Sequence, residues 1–374
     1  MPALRSAVSS RIQVVTWNVE NLFHPETGGP RYDLTPFEGW TEARYKAKVA
    51  RVAKAINTMV ASAKAKGIPF IVGLTEVENE RVVKDLLKHL PAQFAMARDP
   101  NFEQEYHDCV ILYDKSFFEL ESCSYNQVFE RFSRGDVVRA NLVVKGSQPL
   151  KALKATKAGK SSKKEKLADR KTLSVFCCHL KARPSNQYYT EMYRQAVCDD
   201  IQTAIWKMHN GIVVRNAAQR AKGEDKKKPE SLALDKNVVV MGDFNDEPFS
   251  SSLLDYLNAS YDKNFVVQQK DIKRVVLYNC AWEWLSQKKP GSYFWERGSV
   301  TKWSMLDQII VSPSLLNASS GMEYVENSFR VEQDITADEN GVPFRTCTWD
   351  KDDNVVWLKG FSDHFPVRIE LELK

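Results

Sequence analysis

The sequence predicts an α/β fold with antiparallel pairing inside its sheets. Apolar runs of strand length alternate with helical periodicities along much of the chain, which is the grammar of βα units. Between Asp108 and His179, strand-like runs follow one another with no helix between them, which calls for antiparallel neighbours. The 374 residues are 43% hydrophobic, with nine Trp and 18 Phe, enough for a large core and too apolar for a disordered chain. One domain with insertions fits this length as well as two domains do.

Taken in order, Ile12 to Trp17 alternates and is β-branched, so it reads as a strand ending at Asn18, with Glu20 and Asn21 beyond. Residues 24–40 hold three Pro and three Gly and read as a long loop. Thr41 is placed as an N-cap, and Tyr45, Val49, Val52, Ala53, Ile56 and Val60 then recur at helical spacing to about Ala65. Phe70 to Leu74 is a buried strand that delivers Thr75 and Glu76, and a helix follows over Glu80 to Leu90. His107-Asp108 opens a strand through Tyr113, and Val137 to Val144 reads as another. Leu173 to Cys178 ends on His179, with Lys181 and Arg183 close behind.

A helix over Tyr188 to Met208 places Tyr193, Val197, Ile201, Ala204 and Ile205 on one face. The apolar run Val238 to Met241 is a buried strand, and Gly242 gives the backbone freedom to turn where polar residues begin. Asp243 and Asn245, two apart, project to the same side if extended geometry continues. In isolation this segment reads equally as a polar turn leading to a helix N-terminus near Ser250. Ser304 to Val311 carries Asp307, and Asp363-His364 precedes a closing strand through Ile369. The aromatic run from Trp282 to Trp303 fits core packing or stacking on unpaired bases.

The net charge of +5 is unevenly spread. Residues 145–171 carry a net +8 and residues 215–236 a net +3, leaving −6 for the rest. Such Lys-rich stretches fit solvated surface loops, arms that bind a polyanion by counterion release, or a localisation signal. Nothing approaches 18 uninterrupted apolar residues, so no membrane span is expected. The seven Cys lie in apolar or helical patterns without metal spacing and read as reduced. Together with the lack of a secretory apolar region they predict an intracellular protein, cytoplasmic or nuclear; the Arg- and Ser-containing start leaves a mitochondrial address open.

The predicted strand ends thus collect Asn18, Glu76, His107, Asp108, His179, Asp243, Asn245, Asp307, Asp363 and His364. Oxygen donors such as Glu76 and Asp363 select Mg²⁺, Mn²⁺ or Ca²⁺ over Zn²⁺, and carboxylate-held Mg²⁺ is the usual neutraliser of a phosphate. This set favours phosphoester hydrolysis. The segments Thr16-Trp17-Asn18-Val19-Glu20-Asn21-Leu22, Leu74-Thr75-Glu76-Val77-Glu78-Asn79, His107-Asp108-Cys109-Val110, Cys178-His179-Leu180-Lys181, Gly242-Asp243-Phe244-Asn245-Asp246, Leu306-Asp307-Gln308-Ile309 and Ser362-Asp363-His364-Phe365-Pro366-Val367 resemble, in order, the motifs of the endonuclease/exonuclease/phosphatase superfamily.

That resemblance implies a four-layer α/β sandwich of two packed, mainly antiparallel mixed β-sheets flanked by helices, formed by a single domain over residues 1–374 with basic insertions at 145–171 and 211–236. It implies Glu76 as the principal metal ligand, with Asn18 beside it and Asp363 nearby, for Mg²⁺ with Mn²⁺ as substitute. It gives Asp307 the orientation of His364, Asp243 the placing of the attacking water, and Asn245 the stabilisation of the pentacovalent oxygen. His179 would bond a phosphate oxygen, and Asp108 would support. Arg139, with Arg134 as the alternative, would bind substrate phosphate. The implied activity is a metal-dependent phosphodiesterase, a nuclease on DNA or RNA; a phosphatase or phospholipase acting on inositol phosphates or sphingomyelin is the alternative.

Overall fold

The computed structural model describes residues 11–26, 39–99, 108–126, 137–146, 171–183, 188–221, 236–269, 274–297, 300–350 and 354–374. His107, Arg134 and most of both basic insertions lie outside the described residues. In chain order the first half contains β1 (Arg11–Leu22), α1 (Glu42–Ala65), β2 (Phe70–Val77), α2 (Glu80–Leu87), β3 (Phe94–Met96), β4 (Asp108–Asp114), β5 (Phe118–Asn126), β6 (Val137–Val144), β7 (Thr172–His179) and α3 (Tyr188–Ala221). Next come β8 (Asn237–Asp243), β9 (Ala259–Ser260), α4 (Lys263–Gln268), β10 (Leu277–Asn279), α5 (Trp282–Leu285), β11 (Tyr293–Arg297) and β12 (Val300–Ser304). The chain closes with β13 (Asp307–Val311), α6 (Pro313–Asn317), β14 (Met322–Tyr324), β15 (Arg330–Val331), α7 (Gln333–Thr336), β16 (Cys347–Trp349), β17 (Val355–Trp357) and β18 (Val367–Leu373).

Two seven-stranded mixed sheets form the centre. The first runs β14-β18-β1-β2-β4-β3, with β15 also on β18, and the second runs β5-β6-β7-β8-β13-β10-β9. Each is mainly antiparallel around one long parallel pair, β1 with β2 and β7 with β8. Parallel neighbours need a crossover, and α1 and α3 supply it. Thr41 caps α1 by accepting from Arg44 N, and the apolar stripe foreseen from Tyr45 to Val60 is buried against the first sheet. Ile12, Val14, Ile71, Val239 and Met241 fill the space between the sheets, while Phe176, Val197, Ile201 and Val240 join the second sheet to α3. The result is helix, sheet, sheet, helix. All seven cysteines are buried.

Helix α3 continues to Ala221, thirteen residues past the expected end at Met208 and into the 211–236 stretch expected as an insertion. A helical turn does begin near Ser250, of π type over Ser252–Tyr256. Gly242 does not turn the chain but lies within β8, paired with Cys178. Its φ is +144°, and a Cβ there would meet the Cys178 carbonyl oxygen at 1.9 Å, so close approach to β7 is what requires glycine. Among the described residues no helix is long and apolar enough to cross a membrane.

Candidate active site

Alternation along the strands decides which side chains can meet. Val14 of β1, Cys177 of β7, Met241 of β8 and Ile309 of β13 all point between the sheets. Asn18, His179, Asp243 and Asp307 lie an even number of residues further on, or before, and share that side at the strand ends. Glu76 and Asp108 have the opposite parity, since Val72, Leu74, Val110 and Leu112 face the helices. Both are brought in by a bulge. Glu76 has φ +62° and Asp108 φ +52°, with the β2–β4 register shifting between Thr75 and Val77. Val77 then faces the helices, as the shift demands. Glu20, Asn21 and Asn245 are also left-handed, at +51°, +52° and +48°. Non-glycine residues in this region cost on the order of 1 kcal/mol or more each, so strain is concentrated here.

The side chains form one network. Asn18 Nδ2 donates to Glu76 Oε1 and to Asp243 Oδ2, both at 2.9 Å, and the Asn21 N–H donates to Glu76 Oε2 at 2.6 Å. The Asn245 N–H donates to Asp243 Oδ1 at 2.8 Å, while its amide donates to the Leu180 carbonyl at 2.9 Å. Thus Asp243 and Asn245 do converge, although through a left-handed turn and not through continued extension. His364 Nδ1 lies 2.7 Å from Asp307 Oδ2, and His179 Nδ1 lies 3.0 Å from Asp108 Oδ2. Their Nε2 atoms approach the same atom, Asp243 Oδ2, at 3.8 and 3.7 Å. Two imidazoles, each held by a carboxylate at its rear, therefore flank Asp243.

Electrostatics follow from this packing. Burial opposes protonation of His364, but Asp307, Asp243 and Asp363 outweigh it and raise the imidazole to about 10. Burial likewise opposes protonation of His179, and Asp108, Asp243 and Glu76 carry it well above the ordinary range. Burial, then Asp363, pushes the Glu76 carboxyl upward against the pull of His179. For Asp363 burial acts upward too, but His364 and Arg345 hold it below its usual value. Asp307 is sealed from solvent and Asp243 and His364 keep 1% and 6% of their side-chain surface, whereas Glu76, Asp363 and His179 keep 21%, 18% and 16% and are the more open groups.

Arg139 is not brought to this group. It is in register with Phe176 and shares the parity of Val137, which faces α3. Its guanidinium lies 5.5 Å from the Phe176 ring and 3.3 Å from Asn141 Oδ1, on the face away from the inter-sheet core. The basic side chain that does arrive is Arg345, donating to Asp363 Oδ2 at 2.9 Å. Tyr293 also arrives, its ring 4.7 Å from that of His364. Behind Asn18, the buried Lys48 donates to Thr346 Oγ1 at 2.7 Å and lies 3.8 Å from Glu20 Oε2, and the Thr346 N–H donates to the same Glu20 oxygen at 2.7 Å. Burial and Asp363 raise Glu20 to about 7 despite Lys48. Arg345 and Lys48 stand outside every motif read in the sequence; for Lys48 the one signal is a charge on the buried face of α1.

The donor set suits a hard cation. Among the described residues no three His, Cys, Asp or Glu side chains close around a common point as a metal cage. Mg²⁺ does not need one, because it commonly takes one or two carboxylates and keeps its waters. Glu76, partly open beside the amide of Asn18, and Asp363, partly open and paired through one oxygen with Arg345, offer two such carboxylates.

The chain belongs to the endonuclease/exonuclease/phosphatase family, whose model matches residues 13–156 and 209–373. The family makes it a phosphoester hydrolase by class. An endonuclease/exonuclease/phosphatase family protein from Bacteroides thetaiotaomicron shares the fold at 14% identity and a TM-score of 0.50, with 97% of this chain and 95% of that one covered. D. rerio TDP2, solved with a single-strand DNA product, is 12% identical with a TM-score of 0.48 over 97% and 100% of the two chains. A mannosyl-6-phosphatase of B. thetaiotaomicron is 15% identical with a TM-score of 0.48 over 96% and 99%. No curated protein matches the sequence significantly.

Proposed function

We propose that the protein is a divalent-metal-dependent phosphodiesterase that cleaves DNA or RNA. The observation that carries the hydrolytic part is the flanking of Asp243 by two imidazoles, each backed by its own carboxylate. The nucleic-acid part is supported by the two Lys-rich insertions, with net charges of +8 and +3, on a chain otherwise at −6.

Mg²⁺, or Mn²⁺ in its place, would be held by Glu76 with Asn18 and Asp363 and would neutralise charge on the scissile phosphate. The chain's own residues do the rest. Asp307 accepts from His364 Nδ1–H and so turns Nε2 toward the cleft, where the imidazolium donates to a phosphate oxygen. His179, fixed in the same way by Asp108, donates from the other side. Asp243 orients the attacking water, and Asn245 fixes Asp243 through its backbone N–H. The water's oxygen bonds to phosphorus as its proton passes to Asp243, the ester bond breaks, and the leaving oxygen takes a proton from the His179 imidazolium. Arg345 takes the phosphate-facing position that the strand parity denies to Arg139.

The test is turnover of single- and double-stranded DNA and RNA, inositol polyphosphates and sphingomyelin, with Mg²⁺, Mn²⁺ or EDTA. Nucleic acid cleaved only with metal is the expected result, and deletion of residues 151–166 then weakens the salt dependence of binding. Intact nucleic acid beside a hydrolysed small phosphoester would overturn the nuclease reading.

A further inference from the structure

A cleft of about 500 Å³ opens beside the reactive centre, between the loop after β8, the first turns of α3 and the β11–β12 hairpin. It is continuous with the centre in sequence. Asp246 and Glu247 on its floor follow Asn245 directly, and Met305 on its wall precedes Asp307 by two residues. The acids are already engaged: Asp246 pairs with Arg194 at 2.7 Å and accepts from Ser252 Oγ at 2.6 Å, and Glu247 Oε2 accepts from the Met305 N–H at 3.0 Å. The rim carries Arg183, Lys289 and Lys302. Arg183 lies 3.9 Å from Glu247 and Lys289 sits 4.2 Å over the Trp284 ring, but among the described residues neither Lys289 nor Lys302 has an acid within ion-pair distance.

The same cleft leads onto an aromatic ledge. Phe249, in the cleft lining, is 60% exposed and 6.5 Å from the half-buried Trp282; Tyr261, 67% exposed, lies 5.7 Å from the same ring. Large aromatic side chains exposed side by side call for an occupant. Cations at a cleft beside a phosphoryl site, followed by rings with open faces, match alternating phosphates and unpaired bases. A duplex hides its base faces in the stack and cannot use such a ledge.

We propose that this cleft and ledge are the track for a single-stranded nucleic acid: Arg183, Lys289 and Lys302 meet backbone phosphates flanking the scissile one, and Phe249, with Trp282 and Tyr261 beyond it, stacks on bases. The proposal rests on the nuclease reading and specifies its substrate as an unpaired strand.

The test compares kcat/KM on single-stranded oligonucleotides of two, four and eight nucleotides. In the unaltered protein kcat/KM rises with length as the strand reaches the cleft and then the ledge. In Lys289→Glu/Lys302→Glu and in Phe249→Ala the gain from two to eight nucleotides falls by about tenfold, as expected for lost phosphate and stacking contacts. Lys84→Glu/Lys88→Glu on α2, with the same charge change at exposed sites far along the chain, keeps the gain. Because the readout is a ratio within each variant, partial misfolding cannot imitate the result. A length gain that survives in both cleft variants, or cleavage in which duplex is preferred, would overturn the track and leave the nuclease reading standing. If no nucleic acid is cut while another phosphoester is, the nuclease reading itself fails and the track with it.

Discussion

Asp307→Asn isolates one charge in the site while keeping an oxygen that can accept from His364 Nδ1. His364 is raised from an ordinary 6.5 to about 10, a difference of about 5 kcal/mol between its protonation states. Burial works against that rise, so the carboxylates supply more than the net, and Asp307 is the nearest at 2.7 Å. A unit charge at about 4 Å contributes about 4 kcal/mol at an effective dielectric near 20, so its removal returns the imidazole toward its ordinary range. A raised imidazole contributes stability that is complete below pH 6.5 and is lost as pH rises through about 10. NMR titration of the metal-free protein reads His364 directly. In the unaltered protein the imidazolium persists until about pH 10, and in Asp307→Asn it deprotonates near neutrality, with kcat down by about 10²-fold or more. An imidazole that titrates equally high in the variant, or a variant with undiminished kcat, would refute the reasoning.

Glu76→Gln should lower Mg²⁺ affinity in calorimetric titration and, although its single oxygen cannot accept from both Asn18 and Asn21, flatten the fall of melting temperature with rising pH in the metal-free protein. The carboxyl is raised by burial, so its stability contribution is complete below about pH 4.5 and is lost as pH climbs through the folded value; the neutral amide avoids that loss at pH 7. Gly242→Ala should cost about 4 kcal/mol or more in denaturant unfolding, because the Cβ would fall 1.9 Å from a backbone oxygen that cannot move without separating β7 from β8. Arg345→Ala should reduce kcat/KM by about tenfold or more, whereas Arg139→Ala should change it little and cost only about 1 kcal/mol of stability from the lost packing on Phe176.

The core and the rear of the site were legible because they depend on period. The apolar stripe of α1 and the runs of β2, β7 and β8 read directly as buried faces, and Asn18, His179, Asp243 and Asp307 follow from alternation at their ends. What alternation does not carry is a bulge. The left-handed turns at Glu76 and Asp108 reverse parity, so only the family motif, and not the pattern, could aim those residues inward. Arg139 failed for the complementary reason: its strand is regular, and its odd position sends it to α3. Arg345 and Tyr293 reach the site from segments far along the chain, and their sequence neighbourhoods have no periodic or spacing signal for it.

One cleft, built on Asp243 and its two carboxylate-backed imidazoles, is proposed to hydrolyse phosphodiesters with a divalent metal. The most direct measurement is cleavage of a single-stranded oligonucleotide by the full chain with Mg²⁺, with EDTA, and by His364→Ala with Mg²⁺, each after confirming an unchanged fold. Cleavage is expected in the first case alone. Cleavage that persists in EDTA, or in His364→Ala at an undiminished rate, would contradict it.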